Sequence, residues 1–158
     1  MEQMVYRVRR AELDDAQRIG ELFNQYRMFY NQVSDTEGAM KYIQERLKKN
    51  ESVIWIAETE SELESAQGNL GGFVQLYPSF SSVSMGSIWV LNDLYVHTDY
   101  RRKGIARKLL QAAQTFASET GAIRVTLSTA ISNKQAKALY ESEGYAKDDH
   151  FLYYERNV

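Results

Sequence analysis

Leu94-Tyr95-Val96-His97-Thr98-Asp99-Tyr100-Arg101-Arg102-Lys103-Gly104-Ile105-Ala106 reads as the end of a strand, a loop and the start of a helix. The first turn of a helix leaves main-chain N–H groups without acceptors, and the helix dipole adds positive potential there. Such an entry is an anion site when the main chain can be approached closely. Gly104 has no Cβ to obstruct that approach. Ala106 keeps the first turn slim. Arg101, Arg102, Lys103, Arg107 and Lys108 gather five positive charges around the same point. The plainest alternative is a solvated basic helix start. The Gly-x-Ala spacing after an apolar strand argues for phosphate. A nucleotide-triphosphatase loop does not fit, because Gly104 is followed by Ile105 rather than by Lys and Ser or Thr.

Outward from that loop the chain alternates strands and helices. Val5 to Arg9 alternates as a strand. Asp14 or Asp15 can cap a helix carrying Ile19, Leu22, Phe23, Tyr26 and Tyr30 at three- and four-residue spacing. Asp35 or Thr36 can cap a second helix running to about Lys49. Val53 to Ala57 is an apolar run suited to a buried strand. Glu58 to Asn69 is polar and reads as a loop, Leu70 to Tyr77 as a strand, and the serine-rich stretch from Pro78 to Gly86 as a loop. Ile88 to Val96 is a long strand interrupted by Asn92-Asp93. Gly104 to Thr120 is a helix stopped by Gly121. Ile123 to Leu127 is a strand, and Asn133 to Glu143 a short helix ending at Gly144. Two last strands are expected, around Tyr145-Ala146 and over Phe151 to Glu155. The order is β-α-α-β-β-β-α-β-α-β-β.

At 158 residues the chain fits one domain, 1–158. Hydrophobic residues make up 44% and charged residues 25%, with a net charge of -2. That balance describes a globular protein and gives no global case for binding nucleic acid. There is no cysteine, so disulfides, a thiol nucleophile and thiolate metal sites are excluded. With His97 and His150 as the only histidines, no metal is expected. Met1 to Arg10 lacks the apolar centre of a signal peptide, and no apolar run reaches the roughly 20 residues that cross a bilayer. The expectation is a cytoplasmic protein without membrane contact.

The loop resembles the phosphate motif of the GNAT acetyltransferases, Arg/Gln-x-x-Gly-x-Gly/Ala, present here as Arg101, Gly104 and Ala106. The stretch Asn133-Lys134-Gln135-Ala136-Lys137-Ala138-Leu139-Tyr140, followed by Gly144-Tyr145, is similar to that family's second signature. The resemblance covers nearly the whole chain. It implies an α+β fold with a mixed, mostly antiparallel sheet of about seven strands, four helices and a splayed parallel pair. It also implies an N-acetyltransferase that uses acetyl-CoA, with attack by the amine on the thioester.

Roles follow from the resemblance residue by residue. Main-chain groups of Leu94, Tyr95 and Val96 would bond the pantetheine arm, and a main-chain N–H near Val96 would polarise the thioester carbonyl. Arg101, Arg102, Lys103, Gly104, Ile105, Ala106 and Arg107 would hold the pyrophosphate. Asn133 would reach the coenzyme arm, or cap its helix, or both. Tyr140 would protonate the leaving thiolate; the thiol has a pKa of about 8.5 and a tyrosine about 10. Without the motif, Tyr140 reads as a core tyrosine beside Ala136 and Leu139. Asp93 would face the acceptor. The polyamine-acetylating branch has two acids where this chain has Asn92 and Asp93. Asn92 cannot take a proton, so Asp93 either attracts the ammonium or acts through water, unless it only caps a bulge.

Tyr26 and Tyr30, with Asn92 and Asp93, are the candidate substrate-binding residues, since aromatic faces and a carboxylate suit a cation. Core or dimer packing is the alternative for the aromatics. The look-alike branch acetylates histones, polyamines or D-amino acids. That narrows the acceptor to the primary amine of a small molecule or a lysine side chain. A homodimer is expected. Two other readings are open: a catalytically silent acetyl-CoA sensor, and a nucleic-acid module using Arg101 to Lys108.

Overall fold

The computed structural model describes residues 5–60 and 68–158, so Met1–Met4 and residues 61–67 of the expected polar loop lie outside the described residues. Two compact units are present, residues 1–128 and 129–158.

The first unit is built on a five-stranded sheet in sequence order. Its strands are β1 (Tyr6–Arg10), β2 (Val53–Thr59), β3 (Leu70–Ser81), β4 (Gly86–Val96) and β5 (Arg124–Leu127). The first three pairings are antiparallel and β4 with β5 is parallel. Between β1 and β2 lie α1 (Ala16–Phe29) and α2 (Thr36–Lys48); α3 (Ile105–Glu119) crosses from β4 to β5.

Strand alternation assigns the two faces. Phe73 of β3 packs edge-on against Phe23 and Tyr26 of α1. Ile19, Leu22, Ile43, Ile54 and Ile56 close the core on that side. The neighbouring Gly72 faces α3, where an added Cβ would come 3.1 Å from both Ile105 and Leu109. Gly71 and Gly72 thus let the start of α3 lie close on the sheet, and Ile105 is buried there.

Asp35 caps α2 by accepting the Gly38 N–H at 2.9 Å. Asp15, at the start of α1, is spent differently. Its buried carboxylate accepts the Glu12 N–H at 2.7 Å, two bonds from Arg9 at 2.9 and 2.7 Å, and one from Arg18 at 2.7 Å. Glu58 of β2 closes the network on Arg9 and Arg18, at 3.1 and 2.8 Å. Burial pushes the Asp15 carboxyl up, but the Arg9 bonds, the Glu12 N–H and Arg18 outweigh it and hold it at about 2.

The stretch expected as a loop from Pro78 to Gly86 is mostly strand, with only 82–85 turning. The last pairing of β2 with β3 is Val53 with Leu76, so beyond it β3 is an edge strand. An edge tolerates Pro78, whose missing N–H breaks no ladder there.

The second unit contains α4 (Lys134–Ser142). The strands expected around Tyr145-Ala146 and over Phe151 to Glu155 are not formed, so the sheet has five strands among the described residues rather than about seven. Between those stretches Asp148 Oδ1 accepts the His150 N–H at 2.9 Å, a local turn, but neither stretch flanking it forms a ladder.

Candidate active site

The basic loop takes its shape from successive main-chain constraints. The His97 N–H bonds Gly71 at 2.8 Å and ends the β3–β4 ladder. His97 Nδ1 then accepts the Asp99 N–H at 3.0 Å, starting a 3-10 turn over Thr98–Tyr100. Arg102 and Gly104 both adopt left-handed backbone, with φ of 63° and 77°. The first main-chain bond into α3 runs from the Lys108 N–H to the Gly104 carbonyl at 3.1 Å. The N–H groups of Ile105 and Ala106 precede it and have no acceptor within the helix. Among the described residues, and leaving aside its chain neighbours, a Cβ on Gly104 would meet nothing nearer than the Tyr6 hydroxyl at 3.9 Å, so they leave the space over the loop open. Arg101, Arg102, Lys103, Arg107 and Lys108 are exposed around it. Open main-chain N–H groups and surrounding cations are the features an anion site needs. The Arg101 side chain lies along β4, with Nε on the Val96 carbonyl at 3.2 Å and its guanidinium 5.9 Å from the Tyr95 ring centroid.

The polar pair in β4 marks a bulge. Gln75 pairs with Asp93 and Leu76 with Leu91, which leaves Asn92 as the extra residue. Leu91, like Leu76, belongs to the α3 face. Regular alternation would put Asp93 there too; the inserted residue turns it to the α1 face instead. The parallel ladder with β5 ends at the same place, Leu91 with Leu127. Residues 92–96 of β4 therefore run on without a β5 partner.

Asp93 is 5% exposed. Its carboxylate accepts Gln75 Nε2 at 2.8 Å and Asn92 Nδ2 at 3.1 Å, with the Tyr26 hydroxyl as a further donor. Burial raises its pKa, the three neutral donors pull it back, and the net direction is up. On the same face the Tyr77 and Tyr42 hydroxyls are 2.6 Å apart. Burial, that bond and the charge of Asp93 push the Tyr77 phenol far up.

Tyr26, the α1 ring on this carboxylate, belongs to a chain of aromatic contacts. Tyr26 and Tyr30 meet edge-on at 5.1 Å, and Tyr26 lies 5.7 Å from Tyr95. Phe29 and Tyr30 are exposed at the rim. Phe80, by contrast, is 80% exposed near the β3–β4 turn and touches none of these rings.

In the second unit Asn133 caps α4, its Oδ1 accepting the Ala136 N–H at 3.0 Å. Tyr140 stands two turns further on, its ring 6.0 Å from that of Tyr145. Gly144 ends the segment with φ of 93°.

The profile of the acetyltransferase (GNAT) family matches residues 17–145. The chain belongs to the GNAT family. An uncharacterized N-acetyltransferase of Bacillus subtilis (strain 168) is 47% identical over 151 residues, covering 96% of this chain and 97% of that protein. A crystal structure of a probable acetyltransferase superposes with a TM-score of 0.85 at 39% identity, over 96% of this chain and 97% of the other. An aminoglycoside N-acetyltransferase in complex with CoA shares the fold, with a TM-score of 0.78 at 15% identity over 99% and 98% of the two chains. The protein is an acetyltransferase of the GNAT type.

In this GNAT chain the first unit brings Asp93, Asn92, Tyr26 and Tyr30 into one cluster and Arg101 to Arg107 into one loop. Asn133 and Tyr140 share one helix of the second unit. Three residues escaped the sequence reading: Tyr6, whose hydroxyl bonds the Lys103 carbonyl; Gln75, hidden in an apolar run; and Tyr42, whose hydroxyl meets that of Tyr77. Gln75 alone carried a signal, as a polar residue inside a strand otherwise apolar from Phe73 to Tyr77.

Proposed function

We propose that this enzyme transfers the acetyl group of acetyl-CoA to the primary amine of a small cation, an amino acid or a lysine side chain, by direct attack. The observation that carries the reading is left-handed Gly104 at the entry of α3, with open space above it and five cations around it. A pyrophosphate suits that entry: the main-chain N–H groups of Ile105 and Ala106 donate, and Arg101, Arg102, Lys103 and Arg107 balance its charge. The CoA complex of the aminoglycoside N-acetyltransferase supports the choice of coenzyme. The family match runs through both units, which supports treating residues 1–158 as one functional domain.

The remaining roles follow the coenzyme. Leu94, Tyr95 and Val96 offer a strand edge without a β5 partner to the amides of the pantetheine arm. Arg101 leaves the Val96 carbonyl when the arm binds. Asn133 uses Oδ1 as a cap and offers Nδ2 to the arm. The Val96 N–H polarises the thioester oxygen.

The acceptor enters among Tyr26, Tyr30, Asn92 and Asp93. Asp93 attracts its ammonium and takes its proton through a water; a raised pKa makes that carboxylate a better base. The free amine forms a bond to the thioester carbon, the C–S bond breaks with its electron pair going to sulfur, Tyr140 protonates the thiolate, and the proton shed by the nitrogen as the amide forms passes through solvent to restore the Tyr140 hydroxyl.

Thiol release from acetyl-CoA, followed across a panel of polyamines, D- and L-amino acids, a lysine peptide and an aminoglycoside, tests the reading. Saturable acceleration by one class is expected. Coenzyme binding with no turnover on any amine favours a silent binding module. Indifference to coenzyme A at millimolar concentration overturns the assignment.

A further inference from the structure

Gln75 is wholly buried in β3, next to Val74 and Leu76, which are as buried as it is. Its Nε2 donates to Asp93 Oδ2 at 2.8 Å, while its Oε1, also buried, has no partner among the described residues. An amide left half-satisfied inside a sheet is costly, and a leucine or methionine would fill the same volume without that cost. The bond to Asp93 is the one thing the amide accomplishes there.

The environment of Asp93 gives that bond its weight. The groups facing it are Gln75 and Tyr77 of β3, Asn92 of β4 and Tyr26 of α1, with Tyr42 and Arg46 of α2 beyond Tyr77. Arg46 lies over the Tyr42 ring and pairs with Glu51 and Glu45. Among the described residues, none of the interactions that bear on the Asp93 carboxylate comes from a cation. Its ionised form therefore rests on neutral donors. The Asn92 donor sits on an exposed bulge residue and the Tyr26 hydroxyl on a half-buried one, so Gln75 supplies the driest of the three.

We propose that Gln75 is a positioning residue for acetyl transfer: its amide fixes the direction of the Asp93 carboxylate and keeps it ionised, and it is Asp93, not Gln75, that meets the acceptor amine. The inference rests on the reading above in which Asp93 faces the amine. Gln75 sets the pH at which the enzyme becomes competent. It does not touch the acceptor.

The test is the pH dependence of kcat/KM for the amine in the wild type, Gln75→Met, Gln75→Glu and Asp93→Asn. Losing the donor removes stabilisation of the carboxylate, so the acid limb of Gln75→Met moves to higher pH. Its kcat at neutral pH falls about ten- to a hundredfold, the scale of a misaligned catalytic group, with KM for acetyl-CoA unchanged. Gln75→Glu keeps the volume but sets a like charge beside Asp93, and its limb moves further in the same direction. A folded variant of either kind with an unmoved limb overturns the inference, even when Asp93→Asn is inactive. An Asp93→Asn variant with wild-type activity and limb sinks the reading of Asp93 itself, and Gln75 falls with it. Should neither Gln75 variant fold, the wild-type side-chain amide resonance of Gln75 decides. It must titrate with the midpoint of the acid limb, and a flat resonance overturns the inference.

Discussion

The Tyr6 hydroxyl donates to the Lys103 carbonyl at 3.1 Å, tying β1 to the residue just before Gly104 across 97 positions of sequence. Lys103 lies between two left-handed residues, so its carbonyl direction fixes the turn that aims the next N–H groups. Tyr6→Phe keeps the ring and removes the bond, which is worth about 1 kcal/mol. The expected result is a several-fold rise in Kd for coenzyme A by calorimetry, with little change in melting temperature. Unaltered affinity would show that the loop holds its shape without Tyr6.

Two substitutions at Gly104 separate backbone from space. The φ of 77° is left-handed, a conformation that costs an ordinary L-residue about 1–2 kcal/mol and that asparagine tolerates better. Among the described residues, no atom beyond the chain neighbours comes nearer the added Cβ than the Tyr6 hydroxyl at 3.9 Å, so they do not crowd it. Gly104→Asn should retain most of the stability and still weaken coenzyme binding, because its side chain occupies the phosphate's approach. Gly104→Val should lose both. Normal coenzyme affinity in both variants, measured by calorimetry, would remove this loop as the phosphate site.

Tyr140→Phe separates chemistry from binding. A positioned proton donor contributes about 10²- to 10⁴-fold. The expected outcome is a fall of that size in kcat with coenzyme affinity intact. Stopped-flow thiol release and equilibrium binding on the same preparation check it. An unchanged rate takes Tyr140 out of the mechanism.

The parts of the site that were legible in sequence are local. Arg101, Gly104 and Ala106 declare a helix entry because the conformation of a few consecutive residues defines it. Asn133 announces a cap and Gly144 a stop for the same reason. Asp93 was legible as a polar interruption of a strand, but its face was not. Whether it points to α1 or α3 depends on a one-residue mismatch between β3 and β4, visible only once the strands are paired. Gln75 was hidden for the same cause, since its meaning is its partner across the ladder. The hairpin was underestimated because Pro78 and the serines suppress a strand reading that an edge position permits. The C-terminal strands were overestimated because apolar residues alone do not supply a ladder partner. The network of Arg9, Asp15, Arg18 and Glu58 draws on β1, α1 and β2, and only the fold brings the three together.

That network makes stability depend on acid pH with a definite sign. Burial alone would raise the Asp15 pKa, but the Arg9 bonds, the Glu12 N–H and Arg18 bring it from an ordinary 3.8 to about 2. A depressed carboxylate stabilises the fold above its unfolded-state pKa, and the contribution is lost as pH falls through the folded value. The window here lies below about pH 5 and ends near pH 2. A shift of this size corresponds to about 2 kcal/mol. Asp15→Asn should therefore lower the melting temperature at pH 7 by about 4–8 °C for a chain of this length. The gap between variant and wild type should narrow steadily between pH 5 and pH 2, because acid removes from the wild type what the substitution has already removed. Glu58 is depressed by the same arginines and stays in both proteins, so both retain some acid sensitivity. Thermal unfolding in steps across that range checks the claim. A gap that stays constant with pH would mean that the Asp15 side chain acts by shape rather than by charge.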